Sequence, residues 1–159
     1  MLLLLLRHGH AGSKQQWHGD DRRRPLSPQG FAEAEALVGL LSPYAPTRIV
    51  SSPLLRCIQT VTPLAGSLRL RIGRSKRLVP ADGGSADGLM RRVGRGDPGA
   101  VVVCTHGEVI HDLQRSLRGD FPTLFGESQP REKGSVWVLE RAGGHFVSAE
   151  YIAPPLQAH

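Results

Sequence analysis

Two histidines in this chain stand in one local setting, and it is a setting in which histidine can act on phosphorus. Arg7-His8-Gly9 follows directly on the run from Leu2 to Leu6, and Thr105-His106-Gly107 follows directly on the run from Ala100 to Cys104. An unbroken apolar stretch of this length that ends in charge and glycine reads as a buried strand, so each histidine sits at a strand exit. Arg7 and Arg56 add two guanidiniums, planar forks that match phosphate oxygens in a way lysine does not. With these four side chains together, one neutral imidazole can attack in line. The second, once protonated, donates to a nonbridging oxygen and offsets the charge of the group being transferred. Such a site asks for no metal, because the arginines supply the positive charge.

The elements that would position these residues alternate along the chain. Ser27-Pro28 offers an N-cap with proline at the first helical position, and Ala32, Ala34, Ala36, Leu37, Leu40 and Leu41 carry a helix that Pro43 ends. Ile49 and Val50 make a second strand. Ser52-Pro53 repeats the cap-plus-proline start and opens a helix through Leu55, Ile58, Val61 and Leu64. Leu68 to Ile72 reads as a short third strand. From Arg74 to Pro98 prolines and glycines punctuate the pattern, with Ser85 placed to cap a helix carrying Leu89, Met90 and Val93. Val109, Ile110, Leu113 and Leu117 follow His106 at helical spacing. Ser135 to Glu140 and His145 to Ile152 form a hairpin across Ala142-Gly143-Gly144 at one edge of the sheet.

The sum is an α/β fold with a mostly parallel central sheet, helices on both faces and a C-terminal hairpin. Such sheets bind ligands beyond the carboxyl ends of their strands, where His8 and His106 both fall. At 159 residues the chain suffices for one domain with its own core, expected over residues 1–153, with 154–159 as a tail. The leucine run is far short of the roughly 20 residues needed to span a membrane, and no basic flank precedes it as in a signal peptide. The expected setting is the cytoplasm, with no membrane partner. Cys57 and Cys104 sit within apolar patterns and read as small buried hydrophobes, without CxxC or Cys/His metal spacing. A formal charge of +6, mostly arginine, suits anionic ligands or a solvated face. Eight aromatic residues and no recognisable binding motif argue against specific nucleic-acid binding.

At these residues the chain resembles the histidine phosphatase superfamily, the phosphoglycerate mutase-like enzymes. Arg7-His8-Gly9 is similar to that family's first motif. Ser51-Ser52-Pro53-Leu54-Leu55-Arg56-Cys57-Ile58-Gln59-Thr60 is similar to its Ser-Ser-Pro-x-x-Arg-x-x-Gln-Thr element, and Thr105-His106-Gly107 to its second histidine motif. The resemblance implies a phosphohistidine intermediate on His8, a phosphate pocket made by Arg7, Arg56 and His106, and no cofactor. The short length and Asp20-Asp21-Arg22-Arg23-Arg24-Pro25-Leu26-Ser27, followed by Gly30, resemble SixA-type phosphohistidine phosphatases. They also resemble the phosphatase domain that follows a Nudix domain in some mycobacterial proteins. The implied partner is a phosphorylated protein side chain or a phosphorylated small molecule or nucleotide.

Around this centre the residues leave alternatives. Ser13, Lys14 and Trp17 follow the nucleophile, where they either recognise an anion or form a surface loop. One of Arg22, Arg23 and Arg24, with Arg24 preferred, is expected to face the site, and the backbones of Gly9 and Gly107 to lie against substrate. His10 with His8, joined by His18, Asp20 and Asp21, is the one pattern that invites a metal, and it needs a turn at Gly9. Glu108 at a helix start most simply favours the helix dipole. The general acid for ester substrates is assigned to Asp82, with Asp87 second. A non-catalytic phosphoprotein-binding module would use the same arginine pocket.

Overall fold

The computed structural model describes residues 1–80, 86–93, 99–120, 123–126 and 130–156. Six strands form one sheet: β1 (Leu2–Arg7), β2 (Pro46–Ser51), β3 (Ile72–Arg74), β4 (Ala100–Thr105), β5 (Val136–Ala142) and β6 (His145–Ile152), in the order β3-β2-β4-β1-β5-β6. The β3-β2-β4-β1 ladders are parallel, whereas β5 runs antiparallel to β1 and carries β6 as an antiparallel edge. The leucine strand therefore lies inside the sheet, with one parallel and one antiparallel neighbour.

Strand periodicity divides the core in two. Leu3, Leu5, Val101, Val103, Trp137 and Leu139 pack on one face with Met90 of α3 (Ala86–Arg92) and Val109, Ile110, Leu113 and Leu117 of α4 (Gly107–Asp120). The alternate residues Leu4, Leu6, Val102, Cys104, Val136 and Val138 pack on the other with Leu37 and Leu41 of α1 (Pro28–Leu41) and Cys57, Val61 and Leu64 of α2 (Leu55–Leu68). Leu3 to Leu6 are all essentially inaccessible, and each contributes about 1.5–3 kcal/mol by burial. A polar residue at any of them would break a core on one side of the sheet. No helix among the described residues is long and apolar enough to cross a membrane.

Local signals held where no tertiary partner competed for them. Ser27 caps α1, its Oγ accepting the Gly30 N–H at 3.1 Å, and Pro28 occupies the first turn. The β5–β6 hairpin turns on Gly143 (φ 59°) and Gly144 (φ 82°), the two positive φ angles a tight hairpin of matching twist requires. Two local expectations are corrected. The third strand is not Leu68 to Ile72: α2 runs on to Leu68, whose helical spacing continues that of Leu64 and Ala65. Arg69 ends the helix in the left-handed conformation (φ 56°), and the strand begins at Ile72. Ser52-Pro53 does not start α2, which begins at Leu55 with Leu54 in the cap position and no side-chain cap. The Ser52 hydroxyl is engaged elsewhere, with the Leu54 N–H at 3.3 Å and the His106 ring at 2.8 Å. Ser85, the expected cap of α3, lies outside the described residues.

Register brings the strand exits level. Arg7 is paired with Thr105 across the β1–β4 ladder, and Ser51 with Cys104 across β2–β4. His8 and His106, the next residues of β1 and β4, are therefore level at the carboxyl edge, and Ser52, the next residue of β2, stands level with Thr105, one short of His106.

Candidate active site

His8 leaves β1 with 5% of its surface accessible, its Nδ1 2.8 Å from the Gly9 carbonyl. A carbonyl only accepts, so Nδ1 carries the hydrogen and the lone pair is on Nε2. Burial pushes the pKa of His8 down to about 3; the Gly9 carbonyl opposes this, and His106, Arg56 and Arg7 lower it further. The ring is thus neutral at physiological pH. Behind it the Gly9 N–H donates to Thr60 Oγ1 at 3.0 Å, and that hydroxyl donates to the Arg56 carbonyl at 2.6 Å, which ties the β1 exit to α2.

Arg7 and Arg56 approach this ring, each held from behind. Arg7 donates to the Arg131 carbonyl at 2.7 Å. Its guanidinium lies on Gly107, where a Cβ would come within 2.9 Å of Cζ, so only glycine leaves the fork room. Arg56, 6% exposed, donates to the Asp21 carbonyl at 2.9 Å and pairs with its carboxylate at 3.2 Å. The Nε of both arginines is buried without a hydrogen-bond partner among the described residues. A buried charged donor left so is costly, and an incoming oxyanion is a partner of the right charge for both.

His106 is 2% exposed and stands 5.3 Å from His8 between ring centroids, in an edge-to-face arrangement. Its Nε2 lies 2.8 Å from the Ser52 hydroxyl oxygen and 3.5 Å from the Cys57 sulfur. Both of these partners are at Nε2, so Nδ1 is the ring nitrogen that they leave unengaged. The carbonyl of His106 accepts from Ile110, so the residue also heads α4, whose positive dipole end adds to the local field. Cys57 is therefore more than a packed hydrophobe. Burial raises its thiol pKa, but hydrogen bonds to Cys104 and His106 and the charges of His106 and Arg56 prevail and lower it.

These side chains line a cavity of about 510 Å³. Arg7, His8, Arg56 and His106 meet there as expected, and Lys14 and Arg24 line it too. Arg24, 8% exposed, donates to Asp21 Oδ1 at 2.9 Å and to the Ala11 carbonyl at 2.8 Å. Ser13 is exposed, on the lead into a short 3₁₀ turn, and is not among the cavity residues. Gly9 and Gly107 act through what they make room for: a Cβ on Gly9 would press at 3.1 Å on Glu33 Oε2. Asp82 lies outside the described residues, as does the side chain of Asp87. His10 is turned to Ser27 Oγ at 2.7 Å, and no group of three His, Cys, Asp or Glu among the described residues is placed to hold a metal.

Several cavity residues escaped the sequence reading. Asp21 bridges Arg24 and Arg56; burial raises its carboxyl pKa, but the Arg24 hydrogen bond and both guanidinium charges prevail and hold it below the usual range. The acidic-basic stretch Asp20 to Arg24 carries the signal, but in the sequence Asp21 reads as part of a metal pattern with His8 and His10 rather than as the partner of two arginines. Lys133 also lines the cavity, as does Glu108, which the sequence places at a helix start. A lone lysine ahead of a strand carries no spacing signal. Glu33, 2% exposed inside α1, accepts the His10 N–H at 3.1 Å and a Gln29 amide hydrogen at 3.1 Å. A carboxylate within an apolar helical stripe is the sequence trace it leaves.

Among known proteins, the family model described as Histidine phosphatase superfamily (branch 1) matches residues 3–99. The 8-oxo-(d)GTP phosphatase of Mycolicibacterium smegmatis is 37% identical over 159 residues, which cover 96% of this chain and 48% of that protein. The chain thus spans about half the length of that curated relative. The protein histidine phosphatase SixA in complex with tungstate superimposes with a TM-score of 0.78 at 22% identity, over 97% of each chain. A mycobacterial glucosyl-3-phosphoglycerate phosphatase in complex with VO3 does so with a TM-score of 0.70 at 18% identity, over 96% of this chain and 97% of that one. Those two likenesses show the shared fold. Family match, relative and fold agree, and the chain belongs to the histidine phosphatase superfamily, branch 1.

Proposed function

We propose that this chain is a phosphoryl-group hydrolase that works through a covalent phosphohistidine on His8 and needs no metal. The observation that carries the reading is the buried His8 ring, neutral, with its lone pair on Nε2, beside two arginines whose Nε atoms lack partners among the described residues. The Nε2 lone pair forms the N–P bond as the P–O bond to the leaving group breaks, and the leaving oxygen departs with the electron pair. Arg7 and Arg56 hold the nonbridging oxygens, and the Nδ1–H of His106 donates to a third. Lys14 and Arg24 add positive charge at the rim. Water then attacks phosphorus, the N–P bond breaks, and inorganic phosphate leaves with His8 neutral again. Asp82 is retained as the acid for alkyl esters, whose departing oxygen requires a proton. The unit responsible is residues 1–153.

For the substrate, the notable relative is the 8-oxo-(d)GTP phosphatase at 37% identity, against 22% for SixA. This supports a nucleoside polyphosphate ahead of the phosphohistidine protein that the sequence motifs placed first. The decisive experiment is to quench the enzyme during turnover of a reactive phosphate ester. Phosphate is expected on His8 in an acid-labile, base-stable linkage, with full activity in EDTA and competitive inhibition by tungstate or vanadate. Turnover without such a label, or activity lost in EDTA and restored by a divalent ion, overturns the reading.

A further inference from the structure

A second cavity, of about 610 Å³, adjoins the first, and Arg7 and Lys133 line both. Its volume is in the range of small-molecule sites. Lys133 is fixed at the border. The Gly134 N–H reaches the carbonyls of both Arg7 and His8 at 3.1 Å, and Arg131 receives the Arg7 guanidinium, so residues 131–134 are strapped along the β1 exit. Burial lowers the pKa of the Lys133 ammonium, as do Arg7, Arg24 and Arg56, while Glu33 raises it. A cation held among three others is destabilised until an anion joins it.

The two cavities differ in charge. The first is lined by six cationic side chains, Arg7, Lys14, Arg22, Arg24, Arg56 and Lys133, against three carboxylates, Asp20, Asp21 and Glu108. One phosphoryl group, with a charge of about −2, is gripped by two guanidiniums and leaves Lys133 over. In the second cavity Arg7 and Lys133 are balanced by Glu33 and Glu132, with the Gln29 amide and the exposed apolar face of Leu156 beside them. That lining suits a neutral group rich in hydrogen-bond donors with a flat apolar side. We propose that Lys133 binds the phosphate next in line to the one transferred to His8, and that the second cavity takes the nucleoside end of the substrate, with any remaining phosphate at the border between the two. The leaving group is then a nucleoside phosphate, whose oxyanion departs without an acid. This rests on His8 as the nucleophile and names the substrate class for it.

The test compares kcat/KM on an aryl phosphate, inorganic tripolyphosphate and a purine nucleoside triphosphate. Lys133→Met is expected to lower the value on the two polyphosphates by on the order of 10- to 100-fold, the loss of a charge-assisted bond, and on the aryl phosphate by about threefold or less. Lys133→Arg recovers most of the loss. Gln29→Trp, which fills the second cavity, raises KM for the nucleoside triphosphate and spares tripolyphosphate. Equal losses on all three substrates in Lys133→Met, or a Gln29→Trp enzyme that handles the nucleotide as before, overturn the proposal while a labelled His8 still stands. A wild-type enzyme that labels His8 from the aryl phosphate yet leaves the nucleoside triphosphate intact also overturns it. Absence of label from every donor overturns the nucleophile itself.

Discussion

At the end of β1 the chain turns into a loop, and at the end of β4 it turns into a helix. Both strands are aliphatic, both exits read histidine then glycine, and register sets the two rings 5.3 Å apart. What differs is the atom behind each ring. His8 gives its Nδ1 hydrogen to the carbonyl of its own neighbour and keeps Nε2 as a base, whereas His106 is backed at Nε2 by Ser52 and Cys57. The glycines differ as well, one making room for Glu33 and the other for the Arg7 fork. Two copies of one local pattern thus have different nitrogens engaged by their surroundings, Nδ1 at one exit and Nε2 at the other.

The sharpest way to break this comparison is to delete each ring in turn. His8→Ala is expected to abolish both turnover and the covalent label. His106→Ala should slow label formation by on the order of 10² to 10³ and still yield it, the size of losing one donor to the transition state. Arg7→Ala and Arg56→Ala should each fall in the same range by rapid-quench kinetics. If His106→Ala removes the label outright and His8→Ala does not, the assignment is reversed.

The glycines give the next largest effect. Gly107→Ala forces a contact on the Arg7 guanidinium, the far end of a flexible side chain, so the fork moves and the fold is little disturbed. Activity should fall roughly tenfold or more while thermal stability shifts by about 1 kcal/mol or less. A loss of stability that matches the loss of activity would show that Gly107 serves packing alone.

The depressed pKa of His8 carries its own sign. Between about 3 and 6.5 the native ring stays neutral while the unfolded chain's histidine takes up a proton, so this group's share of stability is complete above 6.5 and lost as pH falls towards 3. The Tm of the wild type should therefore drop more steeply on acidification than that of His8→Asn. The acid limb of kcat/KM should also fall well below 6.5. Parallel Tm curves for the two proteins would refute the burial account. The smallest effect is expected from Ser52→Ala, which removes the partner of the His106 Nε2: the loss of one hydrogen bond, about 0.5–1.5 kcal/mol, or roughly 2- to 10-fold in rate.

Arg7, His8 and His106 were legible because they are tied to strand exits, and strand exits are written in the chain as apolar runs that stop. Leu2 to Leu6 and Ala100 to Cys104 announce their strands by composition, and the hairpin announces itself by Gly143-Gly144. Those signals are local, and they determined the α/β class, the two histidines and Arg7, whereas Arg56, inside α2, was marked by the resemblance of Ser51 to Thr60 to a family motif. Ser52 shows where local reading fails. Its position before Pro53 promised a helix cap, and a ring 54 residues away took the hydroxyl instead. The third strand slid four residues on because α2 kept winding until Arg69 stopped it. Asp21, Glu33 and Lys133 gain their meaning only from charges brought close by folding, for a carboxylate or an ammonium has no periodicity of its own. The sequence alone determined which groups can act. Tertiary structure decided which nitrogen each histidine offers, because a tautomer is set by the atom across the hydrogen bond, and that atom comes from wherever in the chain the fold delivers it.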